Sequence, residues 1–369
     1  MKIAFVSDAV APWSVGGIDS LVGTEAEALA KHHEVHFFTF RWPGMKKDFV
    51  KKGIRYHTSH EMNTKRFYRH GRRSIRESIV FMIQIARIFR HRFDVVQANE
   101  FPVIHLPLLK FYCKVTGARL IIDIHEVWDK SYWYDYLGGF IGFFADKIAS
   151  FSIKGADAYL ANSSITAERL GRFGIPKSRI FEFSPIIDDS MMRGLENLKR
   201  KKEVIFAGRL IKEKRIDKWL GAIKDAMKMT KLNGAIIGEG PEEHEIRALI
   251  RQMELEKIVE FRHFYKDKRA MYRRIASASV LLHMGEREGL SIIAIESIAL
   301  GTPVIIPDYS PIPEEVRKMC IVRSEKEIPR AIVDILNGKI VPERNKYGIK
   351  RFYISNIAEF YETLFRKIA

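Results

Sequence analysis

The sequence predicts an α/β protein of two Rossmann-like, doubly wound domains. Three observations predict it. Short apolar runs alternate with helical patterns, as in a parallel sheet with crossover helices. The series strand, glycine loop, helix opens twice, at residues 3–31 and again from residue 203. Between these openings, residues 184–202 change character. Pro185, the acids Asp188 and Asp189, two methionines and the run Lys199-Arg200-Lys201-Lys202 read as a linker.

Composition agrees with a folded enzyme-sized chain. At 369 residues it fits two domains, and 47% apolar residues suffice for full cores. The formal net charge of +17 attracts nucleic acid, anionic lipid or anionic small molecules. Two cysteines far apart suggest a reduced, cytosolic protein. The first apolar run is too short for a signal peptide and Asp8 interrupts it. No stretch of about 18 apolar residues predicts a transmembrane helix.

Residues 3–6 read as a buried strand. Pro12 and the pair Gly16-Gly17 follow in a loop, and a helix is expected over 18–31. The loop lacks the G-x-G-x-x-G spacing, so it does not argue for a nicotinamide cofactor. Two adjacent glycines let a backbone approach a ligand closely, or simply turn the chain. Further strands are expected at 35–40, 54–57, 94–97 and 119–124. Ligands of such sheets sit at the carboxyl ends of the strands. His125, beside Asp123 and Glu126, marks one such end and is a candidate for chemistry or a structural histidine.

Residues 64–92 carry nine lysines and arginines against one acid, Glu77. Within them, residues 79–86 are apolar nearly all round, which predicts a crossover helix buried against the sheet. The basic flanks either meet anionic lipid headgroups or form a solvated face. Residues 132–144 are aromatic and broken by glycines. They suit a bilayer interface, an acceptor cleft or a core.

In the second half, residues 203–207 read as a strand, and a helix begins near Ile216. Arg209 and Lys214 lie in the loop between, where two cations can neutralise a diphosphate. The alternative is a general basic surface. Residues 235–237 form a strand that ends at Gly238, Gly240 and Pro241, whose glycines permit close backbone approach. Strands at 259–262 and 280–282 follow, and the second leads to Glu288. Ser291 is placed to cap a helix that carries Glu296 and ends at Gly301 before Pro303. Residues 304–306 read as a buried parallel strand. The N–H groups of Leu290, Ser291 and Ile292 lie at the positive end of that helix, a natural anion site. Carboxylates on either side suit a ligand with both phosphate and hydroxyls. The alternative is an amphipathic helix with Glu296 on its wet face.

Three motifs together carry a family resemblance: Gly208-Arg209…Glu213-Lys214, Gly238-x-Gly240-Pro241, and Glu288 with Glu296. They resemble the donor-binding signatures of glycosyltransferase family 4. Gly16-Gly17, His125 and Asn162-Ser163 extend the resemblance more loosely to the first half. It implies a GT-B fold: two Rossmann-like domains facing a cleft, with a C-terminal helix crossing back to the first. The expected boundaries are 1–184 for the acceptor-side domain, 185–202 for a hinge, 203–349 for the nucleotide-sugar domain and 350–369 for the returning helix.

The resemblance also implies an activity, the retaining transfer of a sugar from a nucleotide-diphosphate sugar to an acceptor hydroxyl. Arg209 and Lys214 then hold the diphosphate, and Glu296 takes the ribose hydroxyls. Glu288 takes the hydroxyls of the moving sugar, and His125 contacts that sugar near the reacting carbon. Backbone N–H groups after Gly289 hold phosphate. Leu290-Ser291 stands where Phe-Gly is commoner, and Met284-Gly285 where Pro-Ser is usual. No cofactor and no metal are expected. The expected partners are the nucleotide-sugar donor, an acceptor glycan or lipid-linked acceptor such as a cell-surface glycan precursor, and an anionic membrane surface. Without zinc-finger spacing, RNP motif or helix-turn-helix, nucleic acid is not an expected partner. The expected location is cytoplasmic, peripheral on the inner face of a membrane. A GT-B nucleotide-sugar epimerase and a basic nucleic-acid-binding protein are the rival readings.

Overall fold

The computed structural model describes residues 1–14, 17–62, 68–69, 72–127, 133–134, 138–195, 198–265, 267–286, 290–340 and 346–369. The chain divides into two units, Met1–Pro185 with Asn356–Ala369, and Ile186–Ser355.

The strands of the first unit are β1 (Lys2–Val6), β2 (Glu34–Arg41), β3 (Phe49–Lys51), β4 (Ile54–Glu61), β5 (Tyr68–Arg69), β6 (Arg72–Arg73), β7 (Val95–Asn99), β8 (Arg119–Ile124), β9 (Ala158–Ala161) and β10 (Ile180–Glu182). Eight form a sheet in the order β10-β9-β8-β7-β1-β2-β4-β3, and β5 pairs with β6 separately. Every pairing in the large sheet is parallel except β3 with β4. Strands β7 and β8 are buried almost throughout, as parallel strands covered on both faces must be. The sheet order reverses between β1 and β7, which is where such sheets take their ligands.

The second unit contains β11 (Lys201–Ala207), β12 (Asn233–Ile237), β13 (Val259–Arg262), β14 (Ala278–Leu282), β15 (Val304–Pro307) and β16 (Ile321–Arg323). They form one parallel sheet in the order β13-β12-β11-β14-β15-β16, so its reversal lies between β11 and β14. One core gathers around Trp219, Leu220 and Ile223. A second gathers around Ile205, Ile237, Tyr272 and Ile295.

Four expectations need correction. Residues 186–202 are not a free linker: Ile187, Met192 and Leu195 are buried in the second unit, and β11 already begins at Lys201. The final α-helix is Ile357–Ile368, not a helix from 350. Residues 350–355 instead stay with the second unit, where the Ile187 N–H donates to the Phe352 carbonyl at 2.9 Å and the Ile354 N–H to the Ile187 carbonyl at 2.9 Å. The helix Ile75–Ile85 is only partly buried: Glu77, Phe81, Gln84 and Ile85 face inward while Ile75, Ile79 and Ile83 are exposed. Gly139 and Gly142 do not break the chain, because a continuous helix runs over Gly139–Ile153, while Gly138 stands just before it at φ 86°.

The helix Ile357–Ile368 belongs to the first unit and packs on the helix Gly17–Leu29. Ile357, Tyr361, Leu364 and Phe365 recur on one face and are buried. The Tyr361 hydroxyl donates to the Glu25 carboxylate at 2.9 Å, and Phe360 stacks on Phe183 with ring centroids 3.7 Å apart.

Candidate active site

In the second unit the candidate residues gather at the carboxyl edge of the sheet, on either side of its reversal. Arg209 follows β11. Its loop is held by backbone hydrogen bonds: the Leu210 N–H donates to the Glu239 carbonyl at 3.0 Å and the Glu242 N–H to the Leu210 carbonyl at 3.1 Å. Such contact leaves no room for side chains. A Cβ on Gly238 would lie 2.0 Å from the Gly208 carbonyl oxygen, and one on Gly240 would lie 2.3 Å from that of Leu210. These glycines therefore bring two loops together, and the close approach expected of a ligand here belongs to the neighbouring loop. With Leu210 wholly buried, the loop is anchored and Arg209 projects outward.

Arg209 makes no ion pair with a described residue. Arg215, close by in sequence, is fully engaged with Asp217 at 2.9 Å and with Glu286. Lys218 likewise meets Glu286 at 3.3 Å and Glu325. Lys214 ends a short 3-10 turn, Lys212–Lys214, and is half-buried. The Glu286 N–H donates to the Glu213 carbonyl at 2.9 Å. This bond ties the turn that carries Lys214 to the segment after β14, which leads into residue 288.

Glu288 and Gly289, like Gly16, lie outside the described residues. The helix beyond them is Ile292–Ala299. Leu290 anchors its entry in the core, and Ile292 is exposed. Ser291 occupies the N-cap position but corrects the expectation placed on it. It adopts φ 57° and ψ 72°, a left-handed backbone rare for non-glycine residues, and its side chain makes no capping bond. The buried Ser291 Oγ has no hydrogen-bond partner among the described residues. The first N–H groups of any helix lack intrahelical acceptors, so this end stays open to an anion. Gly301, at φ 76°, ends the helix as expected.

Glu296 is 8% exposed, so it does not lie on a wet face. Its Oε1 accepts from the Tyr272 hydroxyl at 2.9 Å and lies 3.5 Å from Lys268 Nζ. Burial raises its carboxyl above the ordinary value, while Lys268 and Tyr272 oppose the rise. Tyr272 and Lys268 escaped the sequence reading. Both lie on the helix Lys268–Ala276, and no local signal links that helix to Glu296.

The first unit gathers a second set at its own carboxyl edge. Gly17 opens the helix Gly17–Leu29 after β1. His125 follows β8, half-buried, with its Nε2 sealed from solvent and without a hydrogen-bond partner among the described residues. Burial lowers its pKa to about 4, so the ring is neutral near pH 7. Its backbone is clamped. The two oxygens of Glu100 accept from the His125 N–H at 2.7 Å and the Glu126 N–H at 3.1 Å. The Asn162 amide donates to the His125 carbonyl at 3.0 Å. Glu100 is almost wholly buried, and burial pushes its carboxyl well up against the lowering effect of those two N–H groups. Sequence reasoning missed Glu100, although it follows directly after β7 at the same sheet edge. Among the described residues no group of three or more His, Cys, Asp or Glu side chains is gathered as for a metal ion.

Two doubly wound sheets, each in its own unit with candidate residues at its carboxyl edge, are the architecture of the GT-B fold. Sucrose-phosphate synthase of Thermosynechococcus elongatus shares the fold at a TM-score of 0.71 and 17% identity, over 100% of this chain and 98% of that one. So does Anabaena HepE in complex with UDP, at 0.67 and 14%, over 99% of both chains. The family described as "Glycosyl transferases group 1" matches residues 188–350, and "Glycosyltransferase Family 4" matches residues 15–190. The chain belongs to the family 4 glycosyltransferases.

Two curated relatives illustrate the range. A GDP-mannose-dependent alpha-(1-6)-phosphatidylinositol dimannoside mannosyltransferase of Mycobacterium tuberculosis is 30% identical over 149 residues, 39% of this chain and 37% of that protein. The O-antigen biosynthesis glycosyltransferase WclY of Escherichia coli is 24% identical over 308 residues, 75% of this chain and 80% of that protein. The first curated relatives are thus matched over only about two fifths of their own length, 37% and 41% in two cases.

Proposed function

We propose that the protein transfers a sugar, with retention of anomeric configuration, from a nucleoside-diphosphate sugar to the hydroxyl of a lipid-linked acceptor or cell-surface glycan precursor. One observation carries the reading: Arg209, on an anchored loop at the carboxyl edge of a doubly wound sheet, makes no ion pair with a described residue, while Arg215 and Lys218 are already neutralised. A diphosphate is the ligand that such a cation lacks. Lys214 supplies a second positive charge, and the open end of the helix Ile292–Ala299 supplies N–H groups. Breaking the bond from the sugar's anomeric carbon to the diphosphate leaves negative charge on the departing oxygen. Preorganised cations and dipoles stabilise it most effectively. Glu296 receives the ribose hydroxyls, Glu288 orients the moving sugar, and neutral His125 contacts that sugar without a charge of its own.

The names of the relatives support this reading, since they act on a phosphatidylinositol mannoside or serve O-antigen synthesis. The net charge of +17 supports a cytoplasmic enzyme that sits peripherally on an anionic membrane. Proton NMR of the first product released from a donor of known configuration tests the stereochemistry. The anomeric signal of the donor's own configuration is expected; the opposite anomer formed first would refute retention.

A further inference from the structure

Helices on a protein surface normally bury their large apolar side chains and expose polar ones. Two helices of the first unit nonetheless expose a stripe of large apolar side chains. In Gly139–Ile153 the inward face is made of small residues: Gly142, Ala149 and Ser152 are buried, with Ala145 half-buried. The helix lies so close to its neighbour that a Cβ on Gly142 would sit 2.6 Å from the Trp133 carbonyl oxygen. The large residues point outward: Phe140 is 81% exposed, Phe144 51%, Ile148 45% and Phe151 69%. Their spacing of four, four and three residues places them along one stripe. In Ile75–Ile85 the polar Glu77 and Gln84 are buried, while Ile75, Ile79 and Ile83 form an exposed stripe four residues apart.

The two stripes belong to one layer of helices. The helix Ile75–Ile85 runs directly into the turn Ala86–Arg90, whose exposed Phe89 lies 6.1 Å from the exposed Phe111 ring. Phe111 lies on the helix Leu106–Thr116, whose Lys110 Nζ donates to the Phe151 carbonyl at 2.6 Å. The apolar face is studded with exposed cations: Arg76, Arg90, Lys114, Lys147 and Lys154. On the helix Gly139–Ile153 the opposing acid is Asp146, which is half-buried.

We propose that this face docks the enzyme on an anionic lipid bilayer. The proposal rests on the lipid-linked acceptor inferred above and names the surface that reaches it. Charge selects the occupant. A second copy of the chain would bring like-charged lysines together across an apolar contact, which is costly. A nucleic acid offers phosphate and bases that stack on rings, but no hydrocarbon for the exposed Ile75, Ile79, Ile83 and Ile148. A bilayer interface offers both, acyl chains for Phe140, Phe144 and Phe151 and anionic headgroups for lysines extended past them. Among the described residues no helix is long and apolar enough to cross a membrane, so the contact is interfacial.

Vesicle flotation of the whole chain without donor tests the proposal, using phosphatidylcholine vesicles with and without phosphatidylglycerol. The wild type is expected to float with the anionic vesicles. The triple variant Phe140→Ser, Phe144→Ser, Phe151→Ser should lose binding at least ten-fold. The triple variant Lys114→Gln, Lys147→Gln, Lys154→Gln should bind more weakly and with less salt dependence. Nucleoside diphosphate binding and melting temperature, measured without vesicles, should match the wild type in both. Three results would overturn the docking face: a serine variant that floats like wild type, no flotation of wild type at low salt, or a wild-type dimer that the serine variant dissociates while neither floats. Flotation without any nucleotide binding would leave the docking face standing and overturn the transferase reading instead.

Discussion

Arg209 and Arg215 share one loop and one residue type, yet their surroundings give them different work. Arg215 is neutralised by Asp217 and Glu286, and Arg209 is not. Replacing Arg209 with alanine should therefore weaken nucleoside diphosphate binding by about 1.5–3 kcal/mol, as for a charged hydrogen bond, and leave nucleoside binding unchanged. Isothermal titration with both ligands checks this; equal losses would make Arg209 a structural residue. Glu100 acts at one remove, through the backbone of His125. Glu100→Gln keeps one acceptor oxygen but turns an amide N–H toward a backbone N–H. Turnover should fall while the apparent donor constant holds, because the residue positions a contact to the moving sugar. A rise in the donor constant with normal turnover would contradict that role. Glu296→Ala should do the opposite and mainly raise the donor constant, since ribose binding is common to ground and transition states.

Single residues were legible where chemistry depends on chain-local geometry. Gly301 had to end its helix, and Arg209 had to follow its strand. Ser291 was misread because its position marks a cap, while its left-handed backbone turns the side chain away from that use. Glu100, Tyr272 and Lys268 were not legible, because each meets its partner through the tertiary fold.

The element that ties the end of the chain to the first unit is the helix Ile357–Ile368. Beneath it lies a buried polar knot. The Gln97 amide donates to Glu25 at 2.9 Å and to both Asp123 oxygens at 3.0 and 2.8 Å, and Tyr361 closes the group. Burial first, and then the charge of Asp123, raises the Glu25 carboxyl well above its ordinary value; burial raises Asp123 too. A carboxyl raised in the folded state contributes its stability below the unfolded value of about 4 and loses it as pH climbs through the raised value. The first unit should thus lose stability between pH 4 and neutrality from this pair. Glu25→Gln removes one of the two charges. Its melting temperature relative to wild type should be higher at pH 8 than at pH 5, by scanning calorimetry. A constant difference across that range would contradict the account.

Elements were legible to the degree that their patterns were one-sided. Strands buried on both faces read as apolar runs, and β8 was placed to the residue; so was β13, although it is an edge strand with only Val259 buried. The helices Ile75–Ile85 and Gly139–Ile153 were harder. A helix apolar nearly all round gives no sign of which face turns inward: Gly139–Ile153 turns in its small residues, and Ile75–Ile85 turns in Phe81 and Ile85 together with Glu77 and Gln84.

At the scale of the molecule, the sequence carried the two sheets because each opens with the same strand, glycine loop and helix. It did not carry the place where the chain passes between units. Composition suggested a linker over 185–202, but the apolar Ile187, Met192 and Leu195 draw that segment into the second core. The passages fall instead at 185–186 and 355–356. Each candidate site sits at the carboxyl edge of its own sheet, the second with its cations beside the reversal and the first with its neutral histidine after β8. The proposed reaction splits a nucleotide sugar whose diphosphate Arg209 holds. The most direct measurement is nucleoside diphosphate release from a panel of UDP- and GDP-sugars, followed for wild type and Arg209→Ala. The account predicts steady release from at least one donor and a loss of about ten-fold or more in kcat/KM for the variant, the size of one charged hydrogen bond. A folded wild type that neither binds nor cleaves any donor of the panel would contradict it.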